Sequence, residues 1–417
     1  MTKLSVIIVS YNVRNLLESC LQTVCEAAAG IETEIFVVDN NSSDNSADMV
    51  AERFPGVKLL ANDKNLGFSK ANNQALKLAC GEYILFLNPD TLVEKQTFRV
   101  CIEFMDSTPR AGAMGVKMVD GLGRYLPESK RALPTPTVAF YKISGLTALF
   151  PGSEKYGRYY LGHLDKNKTQ KIEVLTGAFF FARKTALDKT GYFDESFFMY
   201  GEDIDLSVRL LHNDYEIYYH PGTKIVHFKG ESTRKSSVNY VLVFYRAMAI
   251  YAKKHFRAPG RSLLVILLFI AIYSRAGLSI IKRLTGRIVL PAADAAILYA
   301  GFLVFPAGEG TRLSILQQGY PDENPVVLIP ALIIIWMVSI LLTGGYKGPV
   351  RIGGSLKGLL FGSIAILLVY AMLNPDWYYK VFTIIPIALW GMAVTVIVRM
   401  VMVSIRGRIR KRRSFFP

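Results

Sequence analysis

The sequence is short of cysteine, of charged residues and, in its C-terminal part, of acidic residues. Its four cysteines form no Cys-x-x-Cys pair and no His/Cys spacing typical of zinc, so we interpret them as reduced cytosolic thiols. Charged residues make up 20% and hydrophobic residues 51% of the 417 positions, which excludes disordered and collagen-like chains and is too apolar for a purely soluble enzyme. A chain of this length contains about two or three domains.

Positive charge is concentrated in the apolar part of the chain. Residues 1–255 hold 31 Lys and Arg against 28 Asp and Glu, whereas residues 256–417 hold 18 against 5. A basic excess among apolar segments favours contact with anionic lipid headgroups and argues against a nucleic-acid groove, which needs its charge on a soluble surface. We therefore expect a membrane bilayer, and no nucleic acid, among the partners.

The N-terminal part alternates short apolar runs with amphipathic stretches. Runs typical of strands buried on both faces cover residues 4–9, 34–38, 57–60 and 83–87. Residues 13–25 and 46–54 between them have helical spacing. This alternation predicts an open α/β sheet with parallel strands. The first run is too short for a signal peptide, so we expect this domain in the cytosol.

A polar cluster follows each predicted strand. The clusters begin at Ser10, Asp39, Asn62 and Asn88. Asn, Asp, Ser and Gly are the usual turn residues, so any single cluster is explained equally well by a turn. Four clusters at the carboxyl ends of neighbouring strands indicate a ligand site, because open α/β sheets bind ligands at that edge.

Carboxylates indicate the chemistry of that site. Asp90 ends an apolar strand and can present an oxygen to a hard cation such as Mg2+ or Mn2+. Glu202 and Asp203 are adjacent and precede a helical pattern. Either one of them acts as a base toward a cleft, or both only stabilise the positive end of the helix dipole.

Six motifs occur in an order that is typical of one enzyme family. They are VSYN at 9–12, VVDNNSSD at 37–44, NLGF at 65–68, LNPD at 87–90, LTGAFFFARK at 175–184 and FDESFFMYGEDIDL at 193–206. Together they resemble the inverting family 2 glycosyltransferases, and most of all the bacterial rhamnosyltransferase-like subgroup, where NPD replaces the usual Asp-x-Asp. The resemblance covers about residues 3–235. It implies the α/β GT-A fold, a Rossmann-like open sheet, together with a nucleotide-sugar donor and a divalent metal, Mg2+ or Mn2+.

The resemblance also implies roles for individual residues. The donor-binding positions are Ser10, Tyr11, Asn12, Asp39, Asn65, Gly67 and Asn88. The Thr176-Gly177 step is a further expected donor-binding position, lining the donor sugar or acceptor pocket, because glycine permits close backbone approach; the alternative is a plain strand turn. Asp90 would hold the metal. The segment around His227 resembles one that closes over the diphosphate, which gives His227 a metal or phosphate role; the alternative is a hydrogen-bonded structural histidine. In the Glu202-Asp203 motif, Asp203 would be the general base that deprotonates the acceptor hydroxyl.

Two further segments have no settled role. Short strand-like runs at residues 216–219 and 225–226 precede His227. The aromatic-rich stretch 141–160 has no clean period, and it is either a membrane-facing or acceptor loop or ordinary packing.

Five apolar runs follow residue 257. They cover residues 262–281, 288–305, 326–343, 358–373 and 381–403. Each is near the roughly 17 to 25 residues that span a bilayer. The positive-inside rule is met throughout only if the first run, which contains Arg275, is interfacial or re-entrant and does not cross. The sequence thus predicts about four crossings, which return the basic tail to the cytosol.

These patterns predict a domain order and a function. We expect a GT-A domain at 1–240, a linker with an interfacial or re-entrant amphipathic region at 241–287, transmembrane helices at 288–405 and a basic cytosolic tail at 406–417. Such a chain would be a multi-pass protein of the bacterial inner membrane with its catalytic domain on the cytosolic side. It would move one sugar, rhamnose or another hexose, from a nucleotide sugar to a lipid-linked glycan acceptor in cell-surface polysaccharide assembly.

Two alternatives to this function stay open. One is a processive polysaccharide synthase, although the Gln-x-x-Arg-Trp motif of such synthases is missing from the sequence. The other is a non-catalytic membrane scaffold or translocator with a degenerate transferase domain. The sequence gives no oligomeric state.

Overall fold

The chain divides into two compact units, Met1–Ile280 and Ile281–Pro417. The computed structural model of the protein describes residues 2–228, 238–256, 262–305, 325–346, 351–373 and 378–414. The domain boundaries expected at residues 240, 287 and 405 stay predictions.

Among the described residues, nine strands of the first unit form one mixed sheet. They are β1 (Leu4–Ser10), β2 (Thr33–Asp39), β3 (Lys58–Ala61), β4 (Tyr83–Leu87), β5 (Thr91–Val93), β6 (Ala111–Val119), β7 (Gln170–Ile172), β8 (Phe179–Arg183) and β9 (Glu216–His227). Their order is β3-β2-β1-β4-β8-β6-β9-β5, and β7 pairs with β9. The first four strands pair in parallel, as expected, whereas β8 pairs antiparallel with both β4 and β6.

Two hydrophobic cores flank the sheet, because successive residues of a strand point to opposite faces. The helices of this unit are α1 (Arg14–Ala27), α2 (Ser46–Arg53), α3 (Phe68–Leu76), α4 (Thr97–Ser107), α5 (Pro136–Ser144), α6 (Leu146–Leu149), α7 (Lys184–Thr190), α8 (Glu202–His212) and α9 (Val238–His255). Val6 and Ile8 of β1 pack with α1, α2 and α4 on one face. Ile7 and Val9 pack with α3, α7 and α8 on the other.

The strand before His227 differs from its prediction. The two expected runs at 216–219 and 225–226 form one strand, β9, although Pro221 and Gly222 lie inside it. β9 stays paired with β6 because a register shift between Val116 and Lys117 absorbs the extra residues. Such an irregularity lets a strand pass a proline without losing its partner.

Helix α9 packs within the first unit, close to the start of α8. Tyr251 and Phe256 share a buried cluster with Phe197. Asp205 of α8 is fully buried and accepts hydrogen bonds from His255 and Lys254 at 2.7 and 2.8 Å. Burial opposes the negative charge, yet the hydrogen bonds from His255 and Lys254 lower the pKa of Asp205 to about 2.

The second unit is helical in its described residues. Helix α10 (Ser262–Val304) enters it and is followed by α11 (Pro325–Leu342), α12 (Ile352–Leu373) and α13 (Tyr378–Ser414). Two described stretches, Ile352–Val369 and Ile384–Met402, are long and apolar enough to cross a membrane. Two further apolar helices, Ile288–Val304 and Val327–Leu342, are shorter.

Helix α10 joins two of the apolar runs. The basic residues 282–287, which separate two of the apolar runs in the sequence, lie inside this helix of 43 residues. A continuous helix cannot fold back on itself, so the runs at 262–281 and 288–305 cannot be two antiparallel crossings. For the same reason no re-entrant turn divides the two runs.

A buried ion pair joins α10 to α13. Nη2 of Arg399 lies 2.7 Å from Oδ2 of Asp294, and both side chains are buried. Nη1 of Arg399 donates to the carbonyl oxygen of Gly345 at 2.7 Å. Because an unpaired charge is costly among apolar helices, this pair fixes the alignment of the two helices.

Candidate active site

Hydrogen bonds tie together the loops that follow β1, β2 and β3. The N–H of Asn12 donates to Oγ of Ser42 at 2.9 Å, and Oδ1 of Asn12 accepts from the N–H of Ser43 at 2.7 Å. Nδ2 of Asn40 donates to the carbonyl oxygen of Gly67 at 3.1 Å. We call these three connected loops the donor rim.

Ser10 and Asp39 lie opposite each other at the ends of β1 and β2. Both are buried, and Ser10 Oγ and Asp39 Oδ1 have no hydrogen-bond partner among the described residues. The other oxygen of Asp39 accepts from the N–H of Ser42 at 2.9 Å. Tyr11, next to them, is 44% exposed. Since buried polar atoms are normally paired, this edge has hydrogen-bonding capacity for a ligand.

Gly67 brings the third loop against the segment before α8. Its φ is +85°, and a Cβ atom there would lie 2.5 Å from the carbonyl oxygen of Phe198. The N–H of Phe68 donates to that same oxygen at 2.7 Å. Oδ1 of Asn65 accepts from the N–H of Gly67 at 2.9 Å and shapes the turn. Only glycine fits this close approach.

A cavity of about 540 Å³ lies at the ends of β4 and β9 and the start of α8. The predicted site residues that line it are Asn88, Asp90, Thr176, Gly177, Glu202, Asp203 and His227. Ser10, Tyr11, Asn12, Asp39, Asn65 and Gly67 are not among its lining residues. The structure therefore brings the predicted metal and base residues together and leaves the predicted nucleoside residues on the donor rim.

Asp90 and His227 meet because β5 pairs with the end of β9. Thr91 lies opposite His227 in the ladder, and the N–H of Phe228 donates to the carbonyl oxygen of Asp90 at 2.9 Å. Nε2 of His227 lies 3.4 Å from Oδ1 of Asp90. Nδ1 of His227 is buried and has no partner among the described residues. No group of three potential metal ligands occurs in the described part of the chain.

Three donors hold the carboxylate of Asp203. Its Oδ2 accepts from Nη2 of Arg131 at 2.6 Å and from the N–H of Gly177 at 3.1 Å. Its Oδ1 accepts from the N–H of Ile204 at 2.8 Å. Charge-assisted hydrogen bonds of this kind are short and directional, so they hold the carboxylate in one orientation.

Glu202 has the opposite environment. Its side chain is buried, and Oε2 has no partner among the described residues. Burial and the nearby charge of Asp203 raise the pKa of Glu202 to about 8.

Several residues that line the cavity were not predicted from the sequence. Arg131 lies in no motif, and nothing in the local sequence marks it. Tyr159 belongs to the aromatic stretch whose role stayed open, and it lines the cavity. Tyr245 and Tyr251 of α9, a region expected to be a linker, line it as well.

Comparison with known families identifies the class of the N-terminal domain. Residues 5–191 match the model of glycosyl transferase family 2. The chain carries a family 2 glycosyltransferase domain. It is therefore a glycosyltransferase, and its mixed sheet is the GT-A-like fold that the sequence predicts.

Two curated glycosyltransferases illustrate the similarity. An N-acetylglucosaminyl-diphospho-decaprenol L-rhamnosyltransferase of Mycobacterium tuberculosis strain H37Rv is 26% identical over 273 residues, which are 62% of this chain and 88% of that protein. A poly-beta-1,6-N-acetyl-D-glucosamine synthase of Staphylococcus epidermidis is 28% identical over 220 residues, which are 52% of this chain and 48% of the synthase.

Solved structures resemble this chain more distantly. S. aureus TarS 1–349 gives a TM-score of 0.42 at 17% identity and covers 94% of this chain and 91% of its own. A mannosyltransferase from Pyrobaculum calidifontis, in complex with GDP-Man and Mn2+, gives 0.42 at 16% identity and covers 94% of this chain and 86% of its own.

Proposed function

We propose that this chain is a membrane-anchored, inverting glycosyltransferase that moves one sugar, rhamnose or another hexose, from a nucleotide-sugar donor to a lipid-linked glycan in cell-surface polysaccharide assembly. The observation that carries the proposal is a single cavity that contains Asp203, ion-paired with Arg131, and Asp90 beside His227. Sugar transfer from a diphosphate needs a base for the acceptor and a cation for the leaving group, and this cavity offers residues for both.

The donor rim is the assigned nucleoside site. The free oxygens of Ser10 and Asp39 are positioned to accept hydrogen bonds from the base or ribose, and exposed Tyr11 offers an aromatic face. Asn12 and Asn65 shape the rim through the hydrogen bonds described above. The donor sugar then reaches the cavity, where Asn88, Thr176 and Gly177 line its path.

Asp90 and His227 fit a divalent metal that takes only a few of its ligands from the protein. They offer one carboxylate and one imidazole, both buried, and Mg2+ and similar ions commonly take one or two carboxylates and complete their shell with substrate phosphates. When bound, Mg2+ or Mn2+ would supply Lewis-acid stabilisation of the charge on the departing nucleoside diphosphate. Asn88 stands where the family has a further carboxylate, so the protein contributes few ligands.

Asp203 is assigned as the general base. It takes the proton of an acceptor hydroxyl while that oxygen bonds to the anomeric carbon, and the bond from this carbon to the diphosphate oxygen breaks on the opposite face. A single displacement of this kind inverts the anomeric centre. Glu202, whose pKa is raised by burial and by the charge of Asp203, lines the same cavity.

The cavity wall favours an acceptor with an apolar part. Aromatic and apolar side chains from α5 and α9 line it, among them Ile143, Tyr245, Met248 and Tyr251. Aromatic faces pack well against sugar C–H groups and lipid chains. The relative from M. tuberculosis, named for a diphospho-decaprenol acceptor, supports the same class of acceptor.

The apolar helices support anchoring in the bacterial inner membrane with the catalytic domain in the cytosol. The charge pattern and the continuous α10 agree with an even number of crossings, about four, in which α10 crosses once. Its N-terminal half, with Arg275, would then continue from the crossing to the cytosolic side.

A processive polysaccharide synthase is the second candidate. The similarity to the S. epidermidis synthase favours it, whereas the missing Gln-x-x-Arg-Trp motif argues against it. A non-catalytic scaffold is disfavoured because Asp39, Asp90 and Asp203 are all present.

One assay separates these functions. The purified full chain in proteoliposomes is given N-acetylglucosaminyl-diphospho-decaprenol and a panel of nucleotide sugars that includes nucleotide-linked L-rhamnose. The proposal expects one sugar per acceptor with one donor. Long products would favour the synthase, and neither transfer nor donor hydrolysis with any donor would favour the scaffold.

A further inference from the structure

We propose that Arg131 is a positioning residue for the general base: it orients the carboxylate of Asp203 in the cavity. The inference rests on the proposed function in one respect, the role of Asp203 as base. Its structural support is the 2.6 Å contact between Nη2 of Arg131 and Oδ2 of Asp203, in which each side chain is only 11% exposed.

Both the backbone and the side chain of Arg131 are fixed to the same neighbouring segment. The carbonyl oxygen of Arg131 accepts from the N–H of Val174 at 3.0 Å, and its guanidinium donates to the carbonyl oxygen of Leu175. Two residues further on, the N–H of Gly177 donates to the same oxygen of Asp203. Arg131 and Gly177 therefore converge on one carboxylate oxygen from one rigid segment.

This arrangement leaves the other oxygen of Asp203 for the substrate. Oδ1 accepts one hydrogen bond among the described residues, from the N–H of Ile204. A carboxylate oxygen can accept about two hydrogen bonds, so Oδ1 retains a lone pair for an acceptor hydroxyl. With Oδ2 occupied by Arg131 and Gly177, the carboxylate cannot rotate without breaking both contacts.

An arginine suits this position better than a lysine. Its planar fork reaches the carboxylate and the carbonyl oxygen of Leu175 with a single rigid group, whereas an ammonium is a point charge on a flexible stem. Removing the guanidinium would leave Asp203 free to turn and without a buried counter-charge, and a small displacement of a reacting group can cost about 100-fold in rate.

The test uses the full chain in proteoliposomes with the donor and acceptor identified by the assay above. R131A should lower kcat for transfer about 100-fold and leave nucleotide affinity within a few-fold, as measured by calorimetry. Millimolar guanidinium chloride should raise the kcat of R131A at least about tenfold, whereas sodium chloride at equal ionic strength should not. In the D203N background, R131A should cause no further loss, because the two residues act as a unit.

The matched control is R158A, since Arg158 pairs with Glu173 at the protein surface. It should keep its rate and show no response to guanidinium. If R131A does not fold, R131K replaces it and should show the same loss in kcat with unchanged nucleotide affinity. An R131A or R131K enzyme with normal kcat, or a loss that adds fully to that of D203N, overturns the inference for Arg131. A fully active D203N overturns instead the assigned base.

Discussion

Nε2 of His227 lies 3.4 Å from Oδ1 of Asp90, and both side chains are buried in the cavity. If this pair holds the cation of the donor diphosphate, Asp90→Ala removes the carboxylate that the cation prefers. We expect nucleotide binding to the variant to be weaker in the presence of Mn2+ or Mg2+, and to no longer tighten when metal is added. Isothermal calorimetry of nucleoside diphosphate binding with and without metal measures this linkage.

The control for this prediction is Asp188→Ala on α7, an exposed carboxylate paired with Lys184. It should keep the metal dependence of the wild type. An equal metal effect in the Asp90→Ala variant and the wild type would remove Asp90 from the metal site.

Glu202 is expected to make folding stability depend on pH. Burial raises its pKa from 4.5 to about 8, so the folded state binds this proton more tightly than the unfolded state does. The stability that the protonated side chain contributes is fully present below about 4.5 and is lost as the pH rises toward 8. Glu202→Gln cannot ionise, so its melting temperature relative to the wild type should rise across this range. The slope is at most about 1.4 kcal/mol per pH unit.

Thermal melts of both proteins at several pH values within that range measure the difference. Glu154→Gln, at an exposed position, is the control and should track the wild type. A melting difference between Glu202→Gln and the wild type that does not change with pH would contradict the assignment of a neutral Glu202.

The membrane topology is open to a labelling test. If the catalytic domain and the tail are both cytosolic, as proposed, the number of crossings is even and the continuous α10 contributes one of them. Cysteines are introduced at Thr285, inside α10, and at Gly319, outside the described residues, in a background without native thiols. We expect a membrane-impermeant maleimide, added to intact cells, to label position 319 and to spare position 285. Labelling of position 285 from outside would show that the first apolar run crosses.

Three strands of the parallel half, β1, β2 and β4, could be predicted from the sequence because they are buried on both faces. Such strands appear as short continuous apolar runs, and β1 to β4 begin or end within one or two residues of the predicted bounds. The expectation of burial on both faces was wrong for β3, which is exposed at both ends and only half-buried between them. The grouping of Asp90 with Asp203 followed from the order of the motifs, and the roles of both residues stay predictions.

Other features depend on contacts that no local pattern shows. Arg131 reaches Asp203 across 72 positions of the chain, so its role becomes visible only in three dimensions. The continuity of α10 was missed because residues 282–287 were interpreted by charge alone, although Lys and Arg are good helix formers. In β9, two separate runs were expected, at residues 216–219 and 225–226, and only the pairing with β6 shows how the strand continues between them.

The Asp203→Asn variant tests the proposed function most directly. The full chain in proteoliposomes is assayed for sugar transfer from the productive nucleotide sugar, and nucleotide binding is measured on the same preparation. The account predicts a loss of transfer of roughly 100- to 10,000-fold with nearly unchanged nucleotide affinity, because a general base contributes about that much to the rate and makes no contact with the nucleotide in the ground state. Transfer within a few-fold of the wild-type rate would contradict the account.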